Sequence, residues 1–358
     1  MPQNPFKYGT IVEDNFFTDR IEELAQIGRL LDSENHIVLI SPRRFGKTSL
    51  IHKAVLQSGR PCVWVNLQSV TSANRLAAAL LQQLFKFHPW QQLKYELSHF
   101  RVVPVITASP VSDKVEVSFQ TASGNAAVLE DVLTLTEKMS KPEHRIVVVL
   151  DEFQEIAGME KGLDKRLRAV MQTQSKINYI ILGSQESMMT EIFERKKSPF
   201  YHFGQLLRLK KIPRADFMRY VQERLAPFSS ESECLTLTEQ ILAITDCHPY
   251  YTQQLASQVW NLLAYEQARG DVVSLAVEQL TEVHDLDFER LWVSFNKTDK
   301  YIVQCLCLGK PLFADHSLPA STRYSAVKRL MRLGYVIKGE HYEVEDPFFR
   351  KWVINNRL

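Results

Sequence analysis

Apolar positions over the first two thirds of the chain fall into two alternating patterns. Short, nearly unbroken apolar or β-branched runs occur at "HIVLIS" (36–41), "CVWVNL" (62–67), "RIVVVLDE" (145–152), "NYIILGS" (178–184) and "QLLRLKKI" (205–212). Between them lie "KTSLIHKAVLQ" (47–57), "ANRLAAALLQQLFKF" (73–87), "LDKRLRAVMQTQ" (163–174) and "ESMMTEIF" (186–193), which read as helices. Strands apolar on both faces and separated by helices predict a parallel sheet of βα units. One segment, 100–124, alternates apolar and polar residues around Ser109, Pro110, Ser112 and Asp113, and predicts a β-hairpin inserted before the next strand. A partner surface and a decoration of the core are both open readings of it.

From Pro213 the pattern is helical only. "RADFMRYVQERLAPF", "LTEQILAITD" and "YYTQQLASQVWNLLAYEQ" predict a helical bundle ending near Gly270. "TDKYIVQCLCLG" reads as a helix capped by Thr298 or Asp299, and "STRYSAVKRLMRLG" (321–334) as one closed by Gly334. "YVIKGEHYEVED" (335–346) reads as strand, turn, strand, so the order helix, helix, β-hairpin is that of a winged helix. The predicted architecture is α/β: a parallel-sheet core over 1–212, a helical lid over 213–285 and a winged-helix domain over 286–358.

Composition narrows the classes. The chain of 358 residues is 45% hydrophobic and 23% charged with a net charge of +2, ordinary for a globular protein of two or three domains. Residues 290–358 carry 12 Lys+Arg against 6 Asp+Glu, a modest local excess that suits either a nucleic-acid contact or a solvated surface. Five scattered cysteines without a CxxC pair argue against a disulfide framework or a zinc site. No run reaches the roughly 18 apolar residues of a membrane span, and no apolar leader opens the chain, so no membrane partner and a cytoplasmic location are expected.

Two carboxylates and one loop carry the chemistry. Ser41-Pro42-Arg43-Arg44-Phe45-Gly46-Lys47-Thr48, followed by Ser49, is a phosphate-binding loop pattern with Ser41 in place of the first glycine, and it has a strand before it and a helix after it. In that context backbone N–H groups at the helix N-terminus cradle phosphate, Gly46 permits close approach, Lys47 neutralises β/γ oxygens and the Thr48 hydroxyl ligates Mg²⁺. The run "RIVVVLDE" delivers Asp151 to hold the Mg²⁺ shell and Glu152 to polarise a water. Ser184 ends the next strand, where it either positions water or caps the following helix.

Together the loop, "VVVLDEF", "ILGSQ" and "CHPYYTQ" (247–253) resemble the AAA+-related STAND ATPases. More narrowly they resemble a prokaryotic, archaeal-type ATPase family whose members often begin "NPFxxG", here "NPFKYGTIVEDNFFTDRIEEL" (4–24). The resemblance implies bound ATP or ADP with Mg²⁺ and a slow ATPase acting as a nucleotide-driven conformational switch. It implies that Val12, Phe17 and Arg20 lie beside the adenine and that His248 and Pro249 reach the nucleotide from the lid, with Cys247 where the family usually has glycine. A helix start at His248-Pro249 is the simpler reading of that pair. The resemblance also makes Ser41 a family variant of the loop. Gln205 stands where related chains supply an arginine finger, with Arg195 and Arg208 nearby. A DNA-binding regulator is the alternative, with Arg323, Lys328, Arg329 and Arg332 on a recognition helix. A protein partner is open as well.

Overall fold

Burial already separates the middle of the sheet from its edges. The computed structural model describes residues 3–12, 14–88, 90–108, 115–119, 126–268, 270–312 and 318–358. They form two compact units, one of residues 21–41 and 50–209, the other of the N-terminal residues through Arg20, the segment 42–49 and everything from Lys210.

The first unit runs α1 (Ile21–Asp32), β1 (Ile37–Ile40), α2 (Lys47–Ser58, which enters from the loop before it), β2 (Cys62–Asn66), α3 (Ala73–Leu84), α4 (Trp90–Leu97), β3 (Val105–Ala108), β4 (Val115–Ser118), α5 (Ala126–Met139), β5 (Ile146–Asp151), α6 (Ile156–Met159), α7 (Leu163–Met171), β6 (Ile177–Gly183), α8 (Glu186–Phe193) and β7 (Gln205–Arg208). Every residue of β1, β5 and β6 is buried, whereas β2 and β7 are partly exposed. The sheet order β2-β5-β6-β1-β7, parallel throughout, puts the buried strands in the centre. This is why those sequence runs are nearly unbroken: a central parallel strand has little room for polar side chains, and the one in β6, Asn178, is buried with its amide bonded to the Ser33 and Asn35 carbonyls. The strand β6 lies between β1 and β5, which makes it the additional strand of the expected core.

The predicted hairpin is present as β3 antiparallel to β4, with Val105 opposite Ser118 and Ala108 opposite Val115. Its turn residues Ser109, Pro110, Ser112 and Asp113 lie outside the described residues. The helix predicted over 73–87 ends at Leu84, and α1, α4, α5 and α6 are elements that the apolar pattern does not single out.

The second unit continues with α9 (Arg214–Leu225), α10 (Glu231–Thr245), α11 (Pro249–Ala264), α12 (Val272–Val283), α13 (Asp285–Ser294), α14 (Lys297–Cys307), α15 (Ala320–Leu333), β8 (Val336–Lys338), β9 (Tyr342–Val344) and α16 (Pro347–Arg357). One apolar core runs from Phe6 through α9–α12 to Trp352 and Val353. The N-terminal "NPF" belongs to it. Asn4 Nδ2 donates to the Ser257 carbonyl, Ser257 Oγ and Asn261 Oδ1 on α11, and Phe6 packs edge-on against Tyr220.

The cap of α14 is Asn296, whose side chain accepts from Asp299 N–H at 2.9 Å, not Thr298 or Asp299. Asp299 is instead inside the first turn, and its carboxylate is paired with Arg329 of α15. Gly334 closes α15 as predicted, at φ 83, with Tyr335 N–H returning to the Leu330 carbonyl. The helices do not end near Gly270: α12 and α13 follow it, and neither they nor α16 are among the elements read from the sequence.

Candidate functional site

Because β1, β6 and β5 are adjacent and parallel, their carboxyl ends share one edge of the sheet. That edge carries Ser41, Ser184 and the pair Asp151-Glu152. Ligands of open α/β sheets bind outside this edge. Asp151, the last residue of β5, is 6% exposed, and its Oδ1 accepts the Glu152 N–H at 2.9 Å.

Glu152 then turns the chain in the left-handed region (φ 53, ψ 48), a conformation costing a non-glycine residue about 1–2 kcal/mol. The turn aims its carboxylate at two donors. Ser184 Oγ donates to Glu152 Oε2 at 2.7 Å and Gln154 Nε2 donates to the same oxygen at 2.5 Å. Ser184 is therefore not the cap of α8: that position belongs to Gln185, which makes no side-chain cap bond. A carboxylate at a strand end, braced on one oxygen, has its other oxygen to take a proton.

The loop 42–49 belongs to the second unit and is described with it. Ser41, which precedes it, is fully buried and donates its N–H toward the Gly183 carbonyl at 3.4 Å. Ser41 is not among the residues at positive φ, so glycine's freedom is not needed there. Arg44 (φ 64) and Gly46 (φ 84) are, and Gly46 has nothing within 4 Å of where a Cβ would stand. A bare backbone facing open space, followed at once by the positive end of α2, fits a nucleotide phosphate.

Lys47 is buried and its Nζ reaches back to the Pro42 carbonyl at 2.9 Å, closing the loop on itself. Thr48 is half-buried beside it. Ser49 Oγ accepts the Val12 N–H at 3.0 Å, and buried Arg20 donates to the Lys210 carbonyl at 2.7 Å and the Phe45 carbonyl at 3.4 Å. Val12 thus meets the loop at the Ser49 hydroxyl and Arg20 at the Phe45 carbonyl, and Phe17 is half-buried in the same N-terminal segment. Arg43 is exposed.

His248 and Pro249 do start a helix. Pro249 is the first residue of α11, and His248 Nδ1 accepts the N–H groups of Tyr250 and Tyr251 at 3.2 and 3.5 Å. The same imidazole stands edge-on to Phe45 of the loop, centroids 4.8 Å apart. Burial, then the nearby charges of Lys211 and Arg44, lower its pKa to about 3. The neutral ring's proton sits on Nε2, since Nδ1 is an acceptor. Nε2 lies 3.6 Å from Glu345 Oε1. Cys247, where the resemblance expects glycine, is itself in the left-handed region at φ 55, which is the physical reason glycine suits that position.

Three residues of these surroundings were not anticipated. Gln154 is legible in "DEFQE" only once its bond to Glu152 is known. Tyr251 sits in the quoted "CHPYYTQ", but nothing in the spacing tells which tyrosine faces the loop. Glu345, far along the chain, gives no local signal at all. Arg195 and Arg208, the arginines near Gln205, are paired with Glu191 and Glu194.

A family described as an ATPase domain predominantly from Archaea matches residues 17–255. No curated protein matches the chain by sequence. Among solved structures, a Walker-type ATPase of Pyrococcus abyssi superposes with a TM-score of 0.67 at 14% identity, covering 97% of this chain and 99% of that one. The ORC2 protein of Aeropyrum pernix, in ADPNP–ADP complexes, gives 0.57 at 13% identity over 98% of both chains. At these identities the likeness establishes the fold: a parallel-sheet P-loop core of AAA+ type followed by a helical C-terminal region.

Proposed function

This chain belongs to the family of ATPase domains found predominantly in Archaea, and we propose that it binds ATP with Mg²⁺, hydrolyses it slowly, and uses the cycle as a conformational switch. The observation that carries the reading is Glu152, a strained carboxylate at the carboxyl edge of the sheet, held by Ser184 and Gln154. Backbone strain of this kind clusters at active sites.

In this reading the backbone of 42–49, Gly46 and Lys47 hold the β- and γ-phosphates, and Thr48 and Asp151 hold Mg²⁺. When bound, the metal neutralises charge on the phosphate oxygens. Glu152 accepts a proton from the attacking water, while Ser184 and Gln154 keep its carboxylate oriented. Val12, Phe17 and Arg20 support the nucleotide end of the loop, and His248 with Pro249 senses it through Phe45. The ADPNP and ADP held by the Aeropyrum ORC2 protein support nucleotide as the ligand.

Two observations favour a switch of STAND type over a motor. Phe45 and Arg44 touch His248 and Tyr251 directly, so the helical lid (213–285) reads the loop's state. Arg195 and Arg208 are engaged by neighbouring carboxylates, which fits slow turnover, since an arginine finger contributes ~10³-fold or more. We read α14, α15 and the β8–β9 hairpin (within 286–358) as a winged-helix module that moves with the lid. Of the four basic residues on its helix α15, Arg323 is buried and Arg329 is paired with Asp299, which leaves Lys328 and Arg332 exposed.

The test is calorimetric titration with ATP and ADP. Micromolar binding that Lys47→Ala weakens by at least tenfold is expected, since that substitution removes a cation from the phosphate. No binding by the wild type at millimolar nucleotide refutes the reading.

A further inference from the structure

Arg44, three residues before Lys47, is tied to a residue far along the chain. Its Nη1 donates to Tyr251 Oη at 2.5 Å and lies 3.8 Å from Glu345 Oε2, and the Tyr251 hydroxyl donates to that same Glu345 oxygen at 2.6 Å. The guanidinium also packs over the Tyr250 ring at 4.9 Å. The two ends of this chain of contacts differ in freedom. The Glu345 side chain is 9% exposed, fixed in the turn between β9 and α16, whereas that of Arg44 is 48% exposed. Arg44 also borders a cavity of about 430 Å³, lined by Arg43, Tyr250, Phe288, Tyr335 and Glu345 among others. Arg44 is the member with room to turn.

We propose that Glu345 is a positioning residue for the phosphate-binding loop: it competes with nucleotide phosphate for Arg44, and it takes up a proton from solvent when Arg44 turns away. The inference rests on the loop binding nucleotide phosphate. A guanidinium that neutralises a buried carboxylate cannot at the same time give its full charge to a phosphate. Once Arg44 leaves, the carboxylate keeps its burial and loses its nearest cation.

The charged and titratable groups around it settle the direction. The loop contributes Arg43 and Arg44, α11 the neutral His248 with Tyr250 and Tyr251, and the turn itself Asp346. His284 and Asp287 of α13 line the cavity, and Lys211 lies near His248, paired with Asp246 and Glu343. Removing Arg44 from this set leaves Asp346 beside Glu345 with Arg43 as the remaining loop cation. Burial already pushes Glu345 up to about 7 against the opposing bond from Tyr251 and the charge of Arg44, and departure of Arg44 moves it higher. A proton therefore binds with the nucleotide, and affinity rises as pH falls through the window above about 7.

The experiment is ADP titration by calorimetry between about pH 6.5 and pH 9, in buffers of different ionisation enthalpy, on wild type and Glu345→Gln. Gln retains an oxygen for the Tyr251 hydroxyl and has no charge for Arg44. The wild type is expected to take up a fraction of a proton near pH 8; the variant loses that uptake and binds about fivefold more tightly there. Comparing the two proteins cancels the titration of ADP itself. Tyr251→Phe, which removes the bridging hydroxyl, shifts affinity the same way by a smaller factor and carries the test if Glu345→Gln does not fold. Equal affinities and equal proton counts in proteins that bind ADP overturn this inference alone. Absence of binding in every protein overturns the nucleotide reading and this inference with it.

Discussion

Glu152→Gln separates the two jobs assigned to that side chain. Both bonds to it converge on one oxygen, from Ser184 Oγ at 2.7 Å and Gln154 Nε2 at 2.5 Å. A glutamine has one carbonyl oxygen and can accept both. The exchange loses only the charge assistance of those bonds, so the folded state changes by about 1 kcal/mol or less. The amide cannot take a proton from water, however, and loss of a positioned general base lowers the rate by about 10²- to 10⁴-fold. Phosphate release at saturating ATP·Mg, nucleotide affinity and a thermal melt would be measured on one preparation. The expected result is unchanged affinity, an unchanged melt within about 3 °C for a stability change of this size, and turnover at least about 100-fold down. Ser184→Ala gives the graded case. It leaves the base but removes one of its two holders, and turnover drops about tenfold with affinity unchanged, because a freed carboxylate samples unproductive directions. Turnover by Glu152→Gln within threefold of wild type would refute the assignment of Glu152 as the base.

Three further outcomes follow from particular contacts. Gly204→Ala is expected to destabilise by about 2 kcal/mol in urea unfolding, because a Cβ there would stand 2.6 Å from the His36 carbonyl oxygen, a backbone atom that cannot yield, at the entry to β7. Arg329→Ala removes the bidentate partner of Asp299, whose side chain is 6% exposed, and a loss of about 2 kcal/mol is expected in the same assay, with Asp299→Asn losing less. His248 is held neutral with a pKa lowered from 6.5 to about 3, so below pH 6.5 the unfolded chain binds a proton that the folded one refuses, and stability falls as pH falls through that window. Between pH 7 and pH 5.5 that term changes by about 1.2 kcal/mol, and His248→Asn, which keeps a capping acceptor, should lose that much less stability over the interval. His36, lowered to about 4 by burial and then by Arg168, adds to the same slope in both proteins.

What the sequence could reveal depended on how far apart the interacting residues lie along the chain. The strands β1, β5 and β6 were legible because full burial on two faces leaves an unbroken apolar run. The helix α13 was not, because only Phe288 and Trp292 of its ten residues are buried, while Leu286 and Val293 are apolar and exposed and blur the helical spacing. Lys47, Thr48, Asp151 and Glu152 were legible as local patterns. The bond from Ser184 to Glu152 was not, because it exists only once β6 lies beside β5, and the link from Arg44 through Tyr251 to Glu345 needs the whole second unit to be folded. His248 shows why two sequence readings of one residue need not compete. An imidazole has two nitrogens and an edge. Nδ1 caps α11, the ring meets Phe45, and Nε2 faces Glu345, so the residue that starts α11 also touches the loop. A cap that only started the helix would have had no reason to be buried against the loop. An Asn in its place would keep the first of these roles and lose the other two, so His248→Asn should leave α11 formed while blunting the lid's response to nucleotide.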